Sequence, residues 1–125
     1  MPFILTIDEA WLLEVAQTYL PGDPDVTDFG ALAAAAARHR HEVMGTLVYT
    51  EARHRAAALL HSLVRVPALE HSNETFAVAV AYAYLRASGQ AVTVDSQTAV
   101  NLAARVDAGL DVRAVAEALR AWSAS

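Results

Sequence analysis

The chain has 125 residues, no cysteine and a formal net charge of -5, from 14 acidic and 9 basic residues. These numbers suit one compact domain, residues 1–125, exclude disulfides and thiolate metal sites, and disfavour a general nucleic-acid binder, which needs a basic surplus. No apolar run is long enough for a transmembrane helix and the N-terminal stretch does not resemble a signal peptide, so we expect a cytoplasmic protein without membrane contact.

The first third of the chain predicts two helices separated by a turn. Thr6 and Glu9 have the spacing of a capping box, and an apolar helical face continues from there to about Tyr19. A Pro-Gly-Asp-Pro run then ends the helix. Asp28 is suited to cap a second, alanine-rich helix that fades near His41.

The middle of the chain predicts a long helix that stops sharply. Residues 45–49 predict an irregular connector, and Thr50 is suited to cap the third helix. That helix should end near Val66, because the residue before Pro67 avoids the α conformation.

The rest of the chain predicts three more helices. Ser72 or Asn73 begins the fourth helix, and Gly89 is suited to end it. Asp95 and Asp111 are suited to cap the fifth and sixth helices, with Gly109 between them. Together the signals predict an all-α fold, a single compact bundle of about six helices.

Four features follow one another along the chain: the Asp-x-Gly-x-Leu pattern at 28–32, Tyr49, the helix at 55–65, and the helix end at 84–89. In this order they resemble the Fic/Doc family, and Doc-type toxins in particular. The resemblance implies a Fic/Doc-like bundle. It also implies a family activity, the transfer of AMP or a phosphoryl group from a nucleotide onto a protein hydroxyl. Doc-type members act as toxins against translation and are held in check by a small antitoxin.

The family motif, His-Pro-Phe-x-(Asp or Glu)-Gly-Asn-(Lys or Gly)-Arg, aligns without gaps with residues 67–75. In the family the His is the general base, the acidic residue holds a divalent metal, and the Arg clamps a phosphate. Here those positions are Pro67, His71 and Thr75, so the motif is degenerate. Asn73 matches the family, and Ser72 replaces the Gly at the loop tip.

The chemistry expected from this degenerate motif is weak. A helix N-terminus attracts an anion, but Glu74 in the first turn, about 6 Å from a phosphate at an effective dielectric near 20, opposes it by roughly 2.8 kcal/mol. That exceeds the helix-dipole gain of about 0.3–1 kcal/mol. The alternative is that His71 acts as the base and that Ser72, Asn73 and Thr75 line an anion hole. The competing interpretation makes His71 a solvated loop residue or a cap, and Asn73 an ordinary N-cap.

Three functions follow as hypotheses. The first is a Doc-like toxin with weak or no transfer activity, which binds an amphipathic antitoxin segment and acts on a translation-related target. The second is an active transferase that uses ATP and Mg²⁺ around His71 and Asn73. The third is a non-catalytic regulatory pseudoenzyme. The first and third need no cofactor, and no metal-binding residues are predicted, because the histidines lack a ligand spacing.

Two basic groups outside the motif are interpreted as solvated. Residues 38–41, Arg-His-Arg-His, predict an exposed helix end, where positive side chains suit the helix dipole. Arg53, Arg55 and Arg65 share the third helix and form either a phosphate-facing patch or, as we expect, a solvated face.

Overall fold

A computed structural model describes residues 4–123, and within them it contains six helices and one short hairpin. This confirms the expected all-α fold. The elements in chain order are α1 (Glu9–Tyr19), α2 (Phe29–His39), β1 (Glu42–Val43), β2 (Thr46–Leu47), α3 (Ala52–Arg65), α4 (Asn73–Ala87), α5 (Ser96–Asp107) and α6 (Val112–Arg120).

Aspartates define the start of four helices. The carboxylates of Asp8, Asp28, Asp95 and Asp111 each accept the N–H three residues later, at 2.7–3.1 Å. Such a bond satisfies one of the unpaired donors at a helix start. The capping box predicted at Thr6 is therefore wrong, because Asp8 lies nearer the helix and its carboxylate reaches Trp11. Thr50 does not cap α3 either, since Glu51 occupies the N-cap position.

The helix ends follow the predicted signals. Val66 has an extended backbone before Pro67 and ends α3. Gly89 and Gly109 have φ angles of 93° and 118°, a left-handed conformation that favours glycine. The N–H groups of Gly109 and Leu110 bond to carbonyls of the preceding helix, which is the arrangement of a Schellman motif.

The connector between α2 and α3 is a hairpin, where the sequence predicted irregular chain. Glu42 pairs with Leu47 and Val43 with Thr46 in an antiparallel register. Its two turn residues have positive φ, 52° at Met44 and 82° at Gly45, as a two-residue hairpin turn needs. A positive φ is uncommon for methionine, so the sequence did not predict this turn.

Helices α3 and α4 form the centre of the bundle. α3 packs against α2, α4, α5 and α6, and α4 also packs against α1 and α5. Alanines at the α3–α4 contact, including Ala56, Ala57, Ala77 and Ala81, are fully buried and allow close packing of the two backbones. In the described part of the chain, none of the helices has the length and apolar character needed to cross a membrane.

Candidate functional site

Residues 66–72 join the two central helices and carry the degenerate motif. Ala68 and Leu69 are buried and anchor the loop to the core, whereas Pro67, Glu70 and His71 are exposed. The ring of Pro67 follows the last turn of α3 directly. The loop is therefore a fixed connection with an outward-facing tip.

Asn73 holds this loop in shape. Its Oδ1 accepts the N–H groups of Ala68 at 3.1 Å and Leu69 at 3.0 Å, and its Nδ2 donates to the carbonyl of Leu69 at 2.9 Å. Three of the four hydrogen-bonding positions of the amide are thus used within the loop. Asn73 is the first residue of α4 and does not act as an ordinary N-cap, so that interpretation is wrong.

A second segment, before α2, pairs with the loop. The N–H of Glu70 donates to the carbonyl of Asp25, and the N–H of Asp25 donates to Oε1 of Glu70, both at 2.9 Å. Further along, the N–H of Thr27 and that of Asp28 donate to the carbonyl of Ala68, at 2.8 and 3.1 Å. We call the two paired segments, residues 21–28 and 67–75, the acidic loop pair.

The acidic loop pair is strongly negative. It contains five carboxylates and no lysine or arginine: Asp23, Asp25, Asp28, Glu70 and Glu74. The chain has 14 acidic and 9 basic residues, which leaves nine of each outside the pair. The whole formal net charge of -5 therefore lies in these two segments, beside the N-terminus of α4.

The N-terminus of α4 has an uncommon cap. Ser72 adopts a left-handed conformation, with φ 65° and ψ 27°, and within the described residues its side chain makes no capping hydrogen bond. The Gly that the family motif carries here suits this backbone better than Ser does. Glu74 is exposed in the first turn, where its charge suits the helix dipole and opposes the binding of a further anion.

The other candidate residues do not converge on one point. His71 is exposed, with Nδ1 at 2.8 Å from Oγ of Ser72 and Nε2 at 3.9 Å from Oε1 of Glu70. Thr75 lies on the side of α4, where it lines a groove that also contains Tyr19 and Tyr82. Ser72 and His71 are thus neighbours, while Asn73 points into the loop and Thr75 faces the groove.

That groove runs along the outer side of α4. Near the start of the helix it is lined by Thr75, Val78 and Tyr82 of α4, with α5 and Trp122 opposite, and encloses about 260 Å³. The lining of the groove is mainly apolar, and the described chain leaves this surface open. Further along α4 a separate depression, which shares Tyr19 with the groove, is lined by Ala83 and Arg86, with α1 opposite.

Comparison with known proteins decides the family. No family model matches the chain. A curated relative, the Toxin Doc of Mycolicibacterium smegmatis strain ATCC 700084 / mc(2)155, is 35% identical over 89 residues, which are 71% of this chain and 68% of the relative. The chain belongs to the Doc toxin family.

At the basic end of α2 in this Doc-family chain Arg40 and His41 are exposed, as predicted, but His39 is buried, which contradicts the solvated position predicted for it. His39 is fully buried, and its Nε2 accepts the N–H of Ile7 at 3.0 Å while Nδ1 bonds to the carbonyl of Ala36. An acceptor at Nε2 requires the proton on Nδ1, so the ring is neutral. Burial, with help from Arg40 and Arg55, lowers the pKa of His39 below its usual 6.5.

Arg38 and Arg40 also make internal contacts. Arg38 donates to the hydroxyl of Tyr49, to Nδ1 of His61 and to Oγ of Ser62, at 2.9–3.1 Å. Arg40 donates to the carbonyl of Ile7 at 2.9 Å. The cluster therefore fastens α2 to α3 and to the N-terminal segment. Burial and then the charge of Arg38 lower the pKa of His61.

Arg55 is buried in the core, contrary to the solvated face expected for the arginines of α3. It is 3% exposed. Its Nε donates to the hydroxyl of Tyr84 at 2.7 Å, and one amine donates to the carbonyls of Tyr49 and Thr50, both at 3.1 Å. The hydroxyl of Tyr84 in turn donates to the carbonyl of Leu5. Across residues 4–123, no carboxylate lies within ion-pair distance of Arg55.

Helical spacing could have predicted the burial of both polar residues. Arg55 lies four residues before the apolar Leu59, which is fully buried, so the two share the inner face of α3. His39 follows Leu32, Ala35 and Ala36 at the spacing of one buried helical face.

Among residues 4–123, no group of three or more His, Asp or Glu side chains could hold a metal ion.

Proposed function

We propose that this chain is the toxin of a bacterial toxin–antitoxin pair, acting on a translation-related protein, and that its nucleotide-to-protein transfer is weak or absent. The relative whose printed name is Toxin Doc supports the first part. The charge and bonding of the acidic loop pair support the second part.

The negative charge of the acidic loop pair opposes the binding of a nucleotide phosphate. The two paired segments carry five carboxylates and neither a lysine nor an arginine, and one of the segments opens α4. Each carboxylate about 6 Å from a phosphate charge opposes binding by roughly 2.8 kcal/mol at an effective dielectric of 20. The helix dipole favours binding of the phosphate by about 0.3–1 kcal/mol, which is less than the repulsion from one such carboxylate. This charge distribution is the observation on which the proposal of weak transfer rests.

The side chains at the motif positions support the same conclusion. Pro67 has no titratable group where the family carries its general base, and loss of such a base costs about 10²- to 10⁴-fold in rate. Within residues 4–123 the polar partners of His71 are Ser72 and Glu70, which are not buried, so no buried group in this part of the chain orients its ring as a base requires. Asn73 already uses its amide to hold the loop.

The groove along α4 is our proposed site for the antitoxin. From Thr75 to Ala87 the helix rises about 18 Å, which matches an amphipathic helix of roughly 12 residues. Tyr19 and Val100 are partly exposed at its edges and offer apolar contact area. Arg86 lines the neighbouring depression further along α4, so it offers a cation to an acidic side chain on a partner helix that extends past the groove.

Val100→Lys tests the groove directly, because it places a charge on the apolar edge of the groove without entering the core. We expect at least a tenfold loss of affinity for the antitoxin candidate, the product of a short adjacent open reading frame, measured by calorimetry. Val43→Lys is the matched control, since Val43 is an exposed valine on the hairpin away from the groove. Equal affinity of the two variants would place the antitoxin elsewhere.

Two alternative functions remain distinct from this proposal. The unpaired first-turn N–H groups of α4 favour an active transferase in which His71 is the base and Ser72, Asn73 and Thr75 bind the phosphates of ATP with Mg²⁺. The groove by itself favours a pseudoenzyme, which binds a partner and modifies nothing.

Expression in a bacterial host separates the three functions. We expect growth arrest that the adjacent reading frame relieves and that His71→Ala leaves intact. Arrest abolished by His71→Ala, together with transfer of label from ATP to a host protein, would support the transferase. Normal growth on expression of the folded chain would support the pseudoenzyme and contradict a toxin.

A further inference from the structure

A second cavity lies at the opposite end of α3 from the acidic loop pair. It encloses about 300 Å³ between the first turn of α3, the residue after the hairpin and α6. Its apolar wall is formed by Val48, Val112 and Ala116. The volume is at the small end of the range for ligand pockets.

Arg53 lines this cavity and carries a donor that is not used within the described chain. One of its amines contacts Oε2 of Glu51 at 3.3 Å, whereas its Nε is buried and, among residues 4–123, has no hydrogen-bond partner. A buried donor without an acceptor destabilises a fold, so a rotation of the side chain that brings Nε to an acceptor on a ligand would remove that cost. Arg53 therefore favours a ligand that carries a hydrogen-bond acceptor.

The charges around the cavity favour one negative charge. Arg113 lines it and, within the described chain, forms no ion pair. Glu117 also lines it, and although this carboxylate pairs with Arg120 at 3.5 Å, it would repel a doubly charged ligand. A planar carboxylate suits the donor arrangement of arginine.

We infer that this cavity binds a small organic monocarboxylate. Its carboxylate accepts from Arg53 and Arg113, and its apolar body packs on Val48, Val112 and Ala116. The site is separate from the acidic loop pair, because α3 spans 14 residues, or about 20 Å, between the two. The inference does not depend on the proposed toxin function.

Methyl NMR spectra of the full chain titrated with benzoate test this inference. We expect benzoate to shift the methyl signals of Val48, Val112 and Ala116, and the neutral isostere benzamide to bind at least tenfold more weakly. Arg53→Gln should weaken benzoate by about tenfold or more, because it removes both the charge and the Nε donor. Arg105→Gln removes the same charge from an exposed position on α5 and should leave the affinity unchanged.

Ala116→Leu is a second variant that fills the cavity while keeping both arginines, and it should also abolish the shifts. Equal binding of benzoate and benzamide would overturn the inference, as would an unchanged affinity in Arg53→Gln. Tighter binding of the dianion phenyl phosphate than of benzoate would contradict the assignment of a single negative charge. Absence of any shift at millimolar benzoate would contradict the site itself.

Discussion

Tyr84→Phe is the perturbation whose effect follows most directly from the core. The change keeps the ring, which packs edge-on against Trp11 and His39, and removes only the hydroxyl. That hydroxyl accepts from the buried Nε of Arg55 and donates to the carbonyl of Leu5. The variant therefore leaves a buried cation short of one acceptor and a carbonyl short of one donor.

The expected cost is about 2–4 kcal/mol in the free energy of unfolding. A hydrogen bond to a charged group contributes roughly 1.5–3 kcal/mol, and an unsatisfied buried group costs about 1–3 kcal/mol. Because Arg55 is 3% exposed, solvent cannot easily replace the lost acceptor. Arg55→Leu with Tyr84→Phe removes the cation as well, so the double variant should be more stable than the sum of the single effects predicts.

Urea unfolding of the wild type, both single variants and the double variant gives the full cycle. We expect a midpoint shift of about 1–2 M for Tyr84→Phe and a coupling energy of about 1–3 kcal/mol between the two sites. A loss below about 0.5 kcal/mol for Tyr84→Phe, or additive single effects, would refute the reasoning that the hydroxyl satisfies the buried guanidinium.

Three further predictions concern the histidines and the loop. Burial lowers the pKa values of His39 and His61, so the unfolded chain takes up protons first as pH falls below 6.5. The stability that these two neutral histidines contribute is therefore present above pH 6.5 and is lost progressively as pH falls below it. In urea unfolding between pH 7 and 5, His39→Gln should reduce the dependence of the free energy of unfolding on pH, and an unchanged dependence would contradict this. Asn73→Ala should cost about 2 kcal/mol and speed hydrogen exchange at Ala68 and Leu69, whereas protection equal to wild type would show that the amide does not hold the loop. Ser72→Gly should raise the free energy of unfolding by about 0.5–1 kcal/mol, because relief of roughly 1–2 kcal/mol of left-handed strain exceeds the entropy cost of about 0.5–1 kcal/mol for glycine, and a loss of thermal stability would count against the left-handed cap.

Local signals in the sequence were sufficient for most of the fold. Asp28, Asp95 and Asp111 each cap a helix by bonding to an N–H group only three residues later, so the signal is local. Pro67 and Gly109 likewise end helices through the backbone conformations that these residues prefer. The N-cap of α1 was predicted wrongly because Asp8 lies closer to the helix than Thr6 and its carboxylate makes the capping bond. The hairpin turn at Met44 was not predicted because it needs a positive φ, which is uncommon for methionine.

Long-range partners could not be read in the same way. Arg55 and Tyr84 are 29 residues apart, and Asp25, in the segment that pairs with the motif loop, lies 45 residues before Glu70. The motif analysis predicted where the candidate loop lies and that Glu74 opposes an anion. It did not predict that Asp23, Asp25 and Asp28 add to the same negative region, because that pairing exists only in the folded chain.

Titration of the full chain with ATP and Mg²⁺, followed through the amide signals of residues 73–75, tests most directly whether the acidic loop pair excludes nucleotide phosphate. We expect no saturable shift in the wild type. Glu74→Lys with Thr75→Arg should produce measurable binding, since it reverses one charge and adds a second cation at the first turn of α4. Saturable binding of ATP to the wild-type amides, weakened by Asn73→Ala or His71→Ala, would contradict the account.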